Sequence, residues 1–339
     1  MSTATRAGME RPIFVAIGGD SGSGKSTLTA GFYRIFPADQ ITSVCLDDYH
    51  SLDRRERSLI GVTALDPRAN NFALMENQLL ALKRGNPIMK PVYDHSDGTF
   101  RPAEEVQPRE VVIVQGLHPF LVPGVRGLFD LNVWLDPETE LKHRWKVQRD
   151  VAKRGYTEEQ VYAEIAAREP DVAAHIAPQR RFADLIVGFY RPGTSGSGDE
   201  HLSVRIMERA TLPALNLQGV LSDSCEGLCV THGADETVLD IDGAIDPMVV
   251  RQLEDRIWEH FDARHQHLRH LAPDQFGDFT DGVLHKHHSD SLALVQLLLV
   301  HRILSARRSM LLKVPLSVHE EMIHAHDVQG DAAHDHEHV

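Results

Sequence analysis

Gly19-Asp20-Ser21-Gly22-Ser23-Gly24-Lys25-Ser26-Thr27 carries the spacing G-x-x-x-x-G-K-S, the phosphate-binding P-loop. Its glycines permit a tight turn in which several backbone N–H groups aim at one anion. Lys25 adds a cation for the terminal phosphates, and the Ser26 hydroxyl suits a Mg²⁺ that keeps most of its waters. A second set follows at Asp47-Asp48-Tyr49-His50. One of its carboxylates can accept a proton from an attacking hydroxyl, and the other can hold metal-bound water. Arg54, Arg55, Arg57 and Arg68 come next. In an acidic chain, arginines beside a phosphate site point to a phosphorylated second substrate.

Placing these residues together takes a sheet. The apolar run Ile13 to Ile17 predicts a buried strand that delivers the P-loop. Leu28, Phe32 and Ile35 at helical spacing predict a helix from about Lys25, ended by Pro37. Ile41 to Leu46 predicts a second strand with Asp47 at its carboxyl end, where parallel α/β sheets bind ligands. Phe72 to Leu82 reads as a helix, and Pro91 to His95 as a short extended segment offering Tyr93 and His95. Val111 to Val114 predicts a strand ending at Gln115 and His118, and Leu128 to Leu135 another ending at Asp136. Glu138 to Ala167 reads as strongly helical, with Lys146, Arg149, Asp150 and Arg154 on one face at i, i+3, i+4 and i+8. That face suits a lid over a transferring phosphate. Gln179 to Val187 reads as a turn into one more strand.

This alternation predicts an α/β fold: a P-loop NTPase-type, mostly parallel sheet flanked by helices. Residues 1–11 read as a flexible leader and 12–190 as the core. Residues 191–326 read as a C-terminal α+β extension continuing the sheet, and 327–339 as a His-rich disordered tail. Within the extension, Leu202 to Val204 and Val238 to Ile241 read as strands, Ile245 to His260 and Leu292 to Ala306 as helices.

Lys and Arg number 35 against 49 Asp and Glu, a formal charge of −14 in 339 residues. That balance argues against nonspecific binding to nucleic acid or anionic membrane. The apolar run Leu292 to Val300 is far shorter than the ~20 residues that span a bilayer. No apolar signal segment precedes Pro12, and three cysteines fit a reducing compartment, so a cytoplasmic enzyme is expected.

Taken in order, the motifs resemble the phosphoribulokinases, within the P-loop kinases that also include uridine kinase. The resemblance rests on Gly19 to Thr27, CLDDYHSLDR (Cys45 to Arg54), GVTALDPRANNF (Gly61 to Phe72) and KPVYDH (Lys90 to His95). It continues through GLHP (Gly116 to Pro119), WKVQRDVAKRGYT (Trp145 to Thr157), PQRRFAD (Pro178 to Asp184) and VLDIDGAID (Val238 to Asp246). These motifs resemble the cyanobacterial and plant form more than the shorter proteobacterial one. The resemblance implies transfer of the ATP γ-phosphoryl group to the 1-hydroxyl of ribulose 5-phosphate, the Calvin–Benson step that prepares the acceptor of CO2. It implies ATP and Mg²⁺ as cofactors, Asp47 as catalytic base, and Lys146 and Arg149 as stabilisers of transferring charge. Asp150 matches a substrate- or metal-side carboxylate, and His50, Arg54, Tyr93, His95 and Arg154 match sugar-phosphate contacts. Ser26, Asp47 and Gln115 are the implied metal ligands.

Three departures from the family pattern are visible. Gln115 stands where the family carries Glu. Ser23 replaces the P-loop cysteine of redox-regulated members, so Cys45 lacks its partner and that disulfide cannot form. Cys225 and Cys229 lie near those members' C-terminal pair and are either bridged or two reduced thiols. A complex with glyceraldehyde-3-phosphate dehydrogenase is therefore not expected, while a homodimer through sheet edges is. Two alternatives stand beside the leading reading: a nucleoside or sugar kinase of the same fold, and a catalytically weak regulatory paralogue.

Overall fold

Ile13–Gly19 forms β1, and every one of its residues is buried. Its side chains alternate, as a strand requires. Ile13, Val15 and Ile17 enter one apolar cluster, and Phe14 and Ala16 enter another on the opposite face. A strand apolar on both faces needs cover on both, which is the physical origin of the layered architecture. The computed structural model describes residues 11–191, 198–210, 212, 225–271, 276–281 and 285–310.

β2 (Ile41–Cys45), β5 (Val111–Gly116), β6 (Leu131–Leu135) and β7 (Leu185–Tyr190) join β1 in parallel. β8 (Ser203–Arg209), β9 (Leu228–His232) and β10 (Glu236–Ile241) add antiparallel strands beyond β7. The resulting order is β2-β5-β1-β6-β7-β8-β10-β9. The extension thus continues the sheet of the core, as expected from the sequence. A separate hairpin pairs β3 (Ile88–Asp94) with β4 (Thr99–Val106).

One face is covered by α1 (Lys25–Ile35), α7 (Pro247–Glu259) and α9 (Asp290–Met310), which bury Phe32, Ile257 and Leu297 among others. The other is covered by α3 (Phe72–Lys83) and the short α4 (Pro123–Arg126) through Leu79 and Val125. Register then positions the site. Ile17 and Cys45 both pair with Gln115, so the carboxyl ends of β1, β2 and β5 present the P-loop, Asp47 and Gln115 side by side.

The structure corrects the helix read over Glu138 to Ala167. Gly155, at φ 72°, caps α5 (Thr139–Arg154), and a capping box between Thr157 and Gln160 starts α6 (Glu158–Asp171). A left-handed glycine followed by a Thr-x-x-Gln start outweighs continuous helical propensity. β4 went unread because its residues are nearly all exposed and show no apolar alternation. Residues 1–10 and 311–339 fall outside the described residues, as do 192–197 of the glycine-rich connection. The expected tail lies there, and so does the expected leader apart from Arg11, which pairs with Asp130 at 3.1 Å. Among the described residues, no helix is long and apolar enough to cross a membrane.

Candidate active site

A cavity of about 860 Å³ opens at the carboxyl ends of the parallel strands. Ser21 to Thr27 line its floor. Lys25 Nζ bends back to donate to the Gly19 and Asp20 carbonyls, both at 2.8 Å, and lies 3.4 Å from Ser23 Oγ. Burial pushes this ammonium below its ordinary pKa, although Asp47 and Asp20 pull it up. Gly22, at φ 84°, is where α5 approaches most closely: a Cβ there would stand 2.8 Å from the Lys142 carbonyl oxygen and 2.9 Å from Lys146 Cβ. The loop is anchored to α5 by an ion pair between Lys142 and Asp20 at 2.8 Å, and by Arg149 Nη2 donating to Ser21 Oγ at 3.2 Å. Burial raises the Asp20 carboxyl, but Lys142 outweighs it and the net shift is downward.

The adjacent carboxylates take different jobs. Asp48 is 8 % exposed, forms an ion pair with Lys90 and accepts the Tyr93 N–H at 2.9 Å. It therefore holds β3 in place and does not line the cavity. Asp47 lines the cavity, and the Leu117 N–H donates to its Oδ1 at 3.3 Å. Burial alone would raise the Asp47 carboxyl; Lys25, with His50, His95 and His118, outweighs burial and holds it below the usual range. It is a carboxylate at neutral pH.

His50, Arg54, Tyr93 and His95 line the same cavity, as the sequence predicts. His50 is fixed by Asn70 Oδ1, 3.0 Å from its Nδ1, and burial lowers its pKa to about 4, so the ring is neutral. Tyr93 stands edge-on to His50 and to His95, with centroids at 4.7 and 5.1 Å. Arg57 Nη2 donates to the Tyr93 hydroxyl at 2.7 Å, and Arg54 Nη2 to the His95 carbonyl at 2.6 Å. Of the four arginines after the Asp pair, Arg54 and Arg57 face the cavity. Arg55 is exposed, and Arg68 turns to Asp66.

The basic face of α5 is organised around Asp150, which has no exposed surface. Its carboxylate pairs with Lys146 at 2.7 Å, Arg149 at 2.8 Å and Arg154 at 3.3 Å. Arg149 and Arg154 line the cavity; Lys146 and Asp150 stand behind its wall, with Lys146 also 3.5 Å from Glu164. Asp150 thus positions cations and does not itself face the cavity.

Ser26, Asp47 and Gln115 all line the cavity and offer hydroxyl, carboxylate and amide oxygens. That donor set fits a hard divalent cation, with a single negative charge among the three, so such an ion would rely on nucleotide phosphates for the rest of its charge. Thr29 Oγ1 lies 3.5 Å from Gln115 Oε1, a long contact that leaves the amide loosely held. Cys45, Cys225 and Cys229 are not joined in a disulfide. Cys225 bridges to Leu228, so the neighbouring Cys229 projects to the opposite face.

Sequence reasoning missed the upper wall, where Trp145, Asp199, Leu202, Phe279 and Asp281 line the cavity, and the side formed by Gln160, Glu164 and Arg168. Glu164 and Arg168 carried a readable signal, the i,i+4 spacing that pairs them at 2.6 Å. Asp199, Phe279 and Asp281 come from segments too short for periodicity.

Comparison with known proteins agrees with this geometry. The pattern described as "Phosphoribulokinase / Uridine kinase family" matches residues 14–192. A phosphoribulokinase of Synechocystis sp. is 49 % identical over 179 residues, 53 % of this chain and 54 % of that protein, so the aligned part spans about half of that relative. A chloroplastic phosphoribulokinase of Triticum aestivum is 34 % identical over 316 residues, 81 % of this chain and 76 % of that one. The solved phosphoribulokinase from Rhodobacter spheroides shares the fold at TM-score 0.55 and 20 % identity, covering 76 % of this chain and 98 % of that one. With the P-loop, Asp47 and the arginine-lined wall facing one cavity, the chain belongs to the phosphoribulokinase/uridine kinase family.

Proposed function

We propose that this protein is a phosphoribulokinase, transferring the γ-phosphoryl group of Mg-ATP to the 1-hydroxyl of ribulose 5-phosphate. The observation that carries the reading is a single cavity holding a P-loop, the Asp47 carboxylate at the end of β2, and arginines from α2 (Arg54–Ile60) and α5. P-loop N–H groups and Lys25 hold the phosphates, and Lys25 must leave the Gly19 and Asp20 carbonyls to do so. Arg149 neutralises charge on the transferring group, steadied by Asp150 and Lys146 from behind. His50, Arg54, Arg57, Tyr93, His95 and Arg154 line the acceptor end, where cations suit the acceptor's phosphate.

Asp47 orients the acceptor hydroxyl and takes its proton. The new O–P bond forms as the γ-phosphorus to bridging-oxygen bond breaks, and the electron pair leaves with ADP. When bound, Mg²⁺ neutralises phosphate charge, and Ser26, Asp47 and Gln115 are the residues that would hold it. We also infer work in the cytoplasm, from the cysteine usage, and a homodimer joined at sheet edges, where β9 is mostly exposed. Coupled ATP-consumption kinetics test the activity: turnover is expected with ribulose 5-phosphate and not with uridine, and Asp47→Asn should abolish it while ADP still binds. Turnover on uridine alone would overturn the reading.

A further inference from the structure

Asp47 follows β2, but the backbone it leans on belongs to β5. Gly116 closes that strand, and a Cβ there would stand 3.3 Å from Asp47 Oδ1 and 2.6 Å from Leu46 Cβ. Without one, the chain passes close enough for the next amide, the Leu117 N–H, to donate to Asp47 Oδ1 at 3.3 Å. The aim of this carboxylate therefore depends on the irregular turn that residues 117–120 make after β5.

No sheet ladder holds that turn; a side chain 59 residues further on does. Gln179 is 1 % exposed. Its Oε1 accepts the Phe120 N–H at 2.9 Å, and its Nε2 donates to the Leu117 carbonyl at 2.8 Å. One amide thus clamps the first and last residues of the turn. Leu117 is held from both sides, its N–H on Asp47 and its carbonyl on Gln179. The second Nε2 hydrogen goes to the His175 carbonyl, also at 2.8 Å, so both donors of the amide are used.

Gln179 is itself seated firmly. Between α6 and β7 the chain makes a π-helical turn (Val172–Ile176) and then a 3₁₀ turn (Ala177–Phe182). The Ala177 N–H bonds the Val172 carbonyl five residues back, and this widened turn presents the His175 carbonyl that Gln179 takes. At the far end Asp184 is tied to β6: its N–H donates to the Asn132 carbonyl and its Oδ2 accepts the Asn132 N–H, both at 2.8 Å.

Gln179 does not line the cavity, so it touches neither substrate and acts through the turn. An apolar side chain of similar volume would fill its place but leave one N–H and two carbonyls buried without partners, and the turn would shift to find others. We propose that Gln179 is a positioning residue for phosphoryl transfer: it locks the Leu117–Phe120 turn, whose Leu117 amide aims the Asp47 carboxylate at the acceptor hydroxyl. This takes Asp47 as the base and so rests on the kinase reading. Alignment of base and hydroxyl matters steeply, since a misplacement of about 1 Å can cost about 10²-fold in rate.

Steady-state kinetics of the full-length protein test it. Wild type is assayed first with ribulose 5-phosphate and with uridine, so that failure of the acceptor assignment is read separately, and the variants are assayed with whichever acceptor it uses. Gln179→Met keeps the volume and removes all three bonds. Its kcat, referred to the folded fraction counted by ADP binding, should fall by about tenfold to a hundredfold, while KM for ATP and for the acceptor moves less than about twofold. A residue that only stabilised the fold would lower Tm and the folded fraction and leave this kcat alone. Gln179→Glu keeps the acceptor for the Phe120 N–H and loses the donors, so its kcat should lie between the two; it carries the test if Gln179→Met fails to fold. Gly116→Ala presses on Leu46 and Asp47 from within the same segment and should show the same split between kcat and KM. Unchanged kcat in the folded Gln179 variants, or a loss confined to KM, would overturn the positioning role.

Discussion

Asp48 and Lys90 form a buried ion pair, and the second Asp48 oxygen accepts the Tyr93 N–H at 2.9 Å. The pair fastens β3 to the end of β2 and leaves the neighbouring Asp47 to face the cavity. Two adjacent carboxylates of one residue type are thereby separated into a structural and a chemical group. Asp48→Asn removes the more buried of two countercharges of the Lys90 ammonium, leaving the exposed Glu104 at 3.0 Å, so the cost falls below the roughly 3–5 kcal/mol of an uncompensated buried charge. Asp47→Asn removes a proton acceptor, worth about 10²–10⁴-fold in rate. Thermal melts and kcat should therefore move oppositely: a lower Tm for Asp48→Asn with turnover largely kept by the folded fraction, and a near-native Tm with little turnover for Asp47→Asn.

Asp150 makes a second separable prediction. It holds Lys146, Arg149 and Arg154, and Arg149 in turn reaches Ser21 of the P-loop. Burial alone would raise its carboxyl, but Arg149 and Lys146 outweigh burial and bring it from 3.8 to about 2. Its stabilising charge is therefore present above pH 3.8 and lost as pH falls toward 2. Asp150→Asn frees three cations, so kcat should fall by about tenfold or more as charge-assisted bonds are lost. Asp150→Glu should recover part of kcat, and KM for ATP should move less than kcat in both. A loss confined to KM would contradict a positioning role.

Much of the core was legible because its signals are local. The P-loop spacing, the apolar runs of β1 and β5 and the helix stop at Pro37 each specify structure over a few residues. What was not legible depends on contacts far apart in sequence. Asp48 reads like Asp47 until Lys90, 42 residues on, is seen to reach it. Lys146 and Arg149 read as equals on one helix face until Asp150 and Glu164 turn the Lys146 ammonium behind the wall. The hairpin bearing Phe279 and Asp281 has three residues per strand, too short for any period to register.

Gln115 sets a prediction about metal. Gln115 lines the cavity, and its amide oxygen has a long contact, 3.5 Å, to Thr29 Oγ1. Restoring a charge there adds a second carboxylate to the donor set, and affinity for hard cations rises with ligand charge. Gln115→Glu should tighten Mn²⁺ binding to the ADP complex by about tenfold or more, read from the free Mn²⁺ signal in electron paramagnetic resonance titrations. Equal titrations for the two proteins would place Gln115 outside the metal's ligand shell.

His50, His118 and His301 are each buried, and burial lowers each pKa from 6.5 to about 4. Between those two values the unfolded chain binds a proton at each ring and the folded chain does not. Stability therefore rises with pH across the window, is complete above 6.5 and is lost as pH falls toward 4. Each group contributes up to about 1.4 kcal/mol per pH unit, so the three together act at roughly 4 kcal/mol per unit. His301 lies in α9 against Phe261, 5.3 Å between ring centres, and does not line the cavity. His301→Gln cannot take up a proton, so its acid sensitivity should be shallower by about a third while turnover at pH 7 is kept. Urea unfolding at pH 7, 6 and 5 measures both slopes, and identical slopes would mean that the His301 ring is protonated in the folded protein.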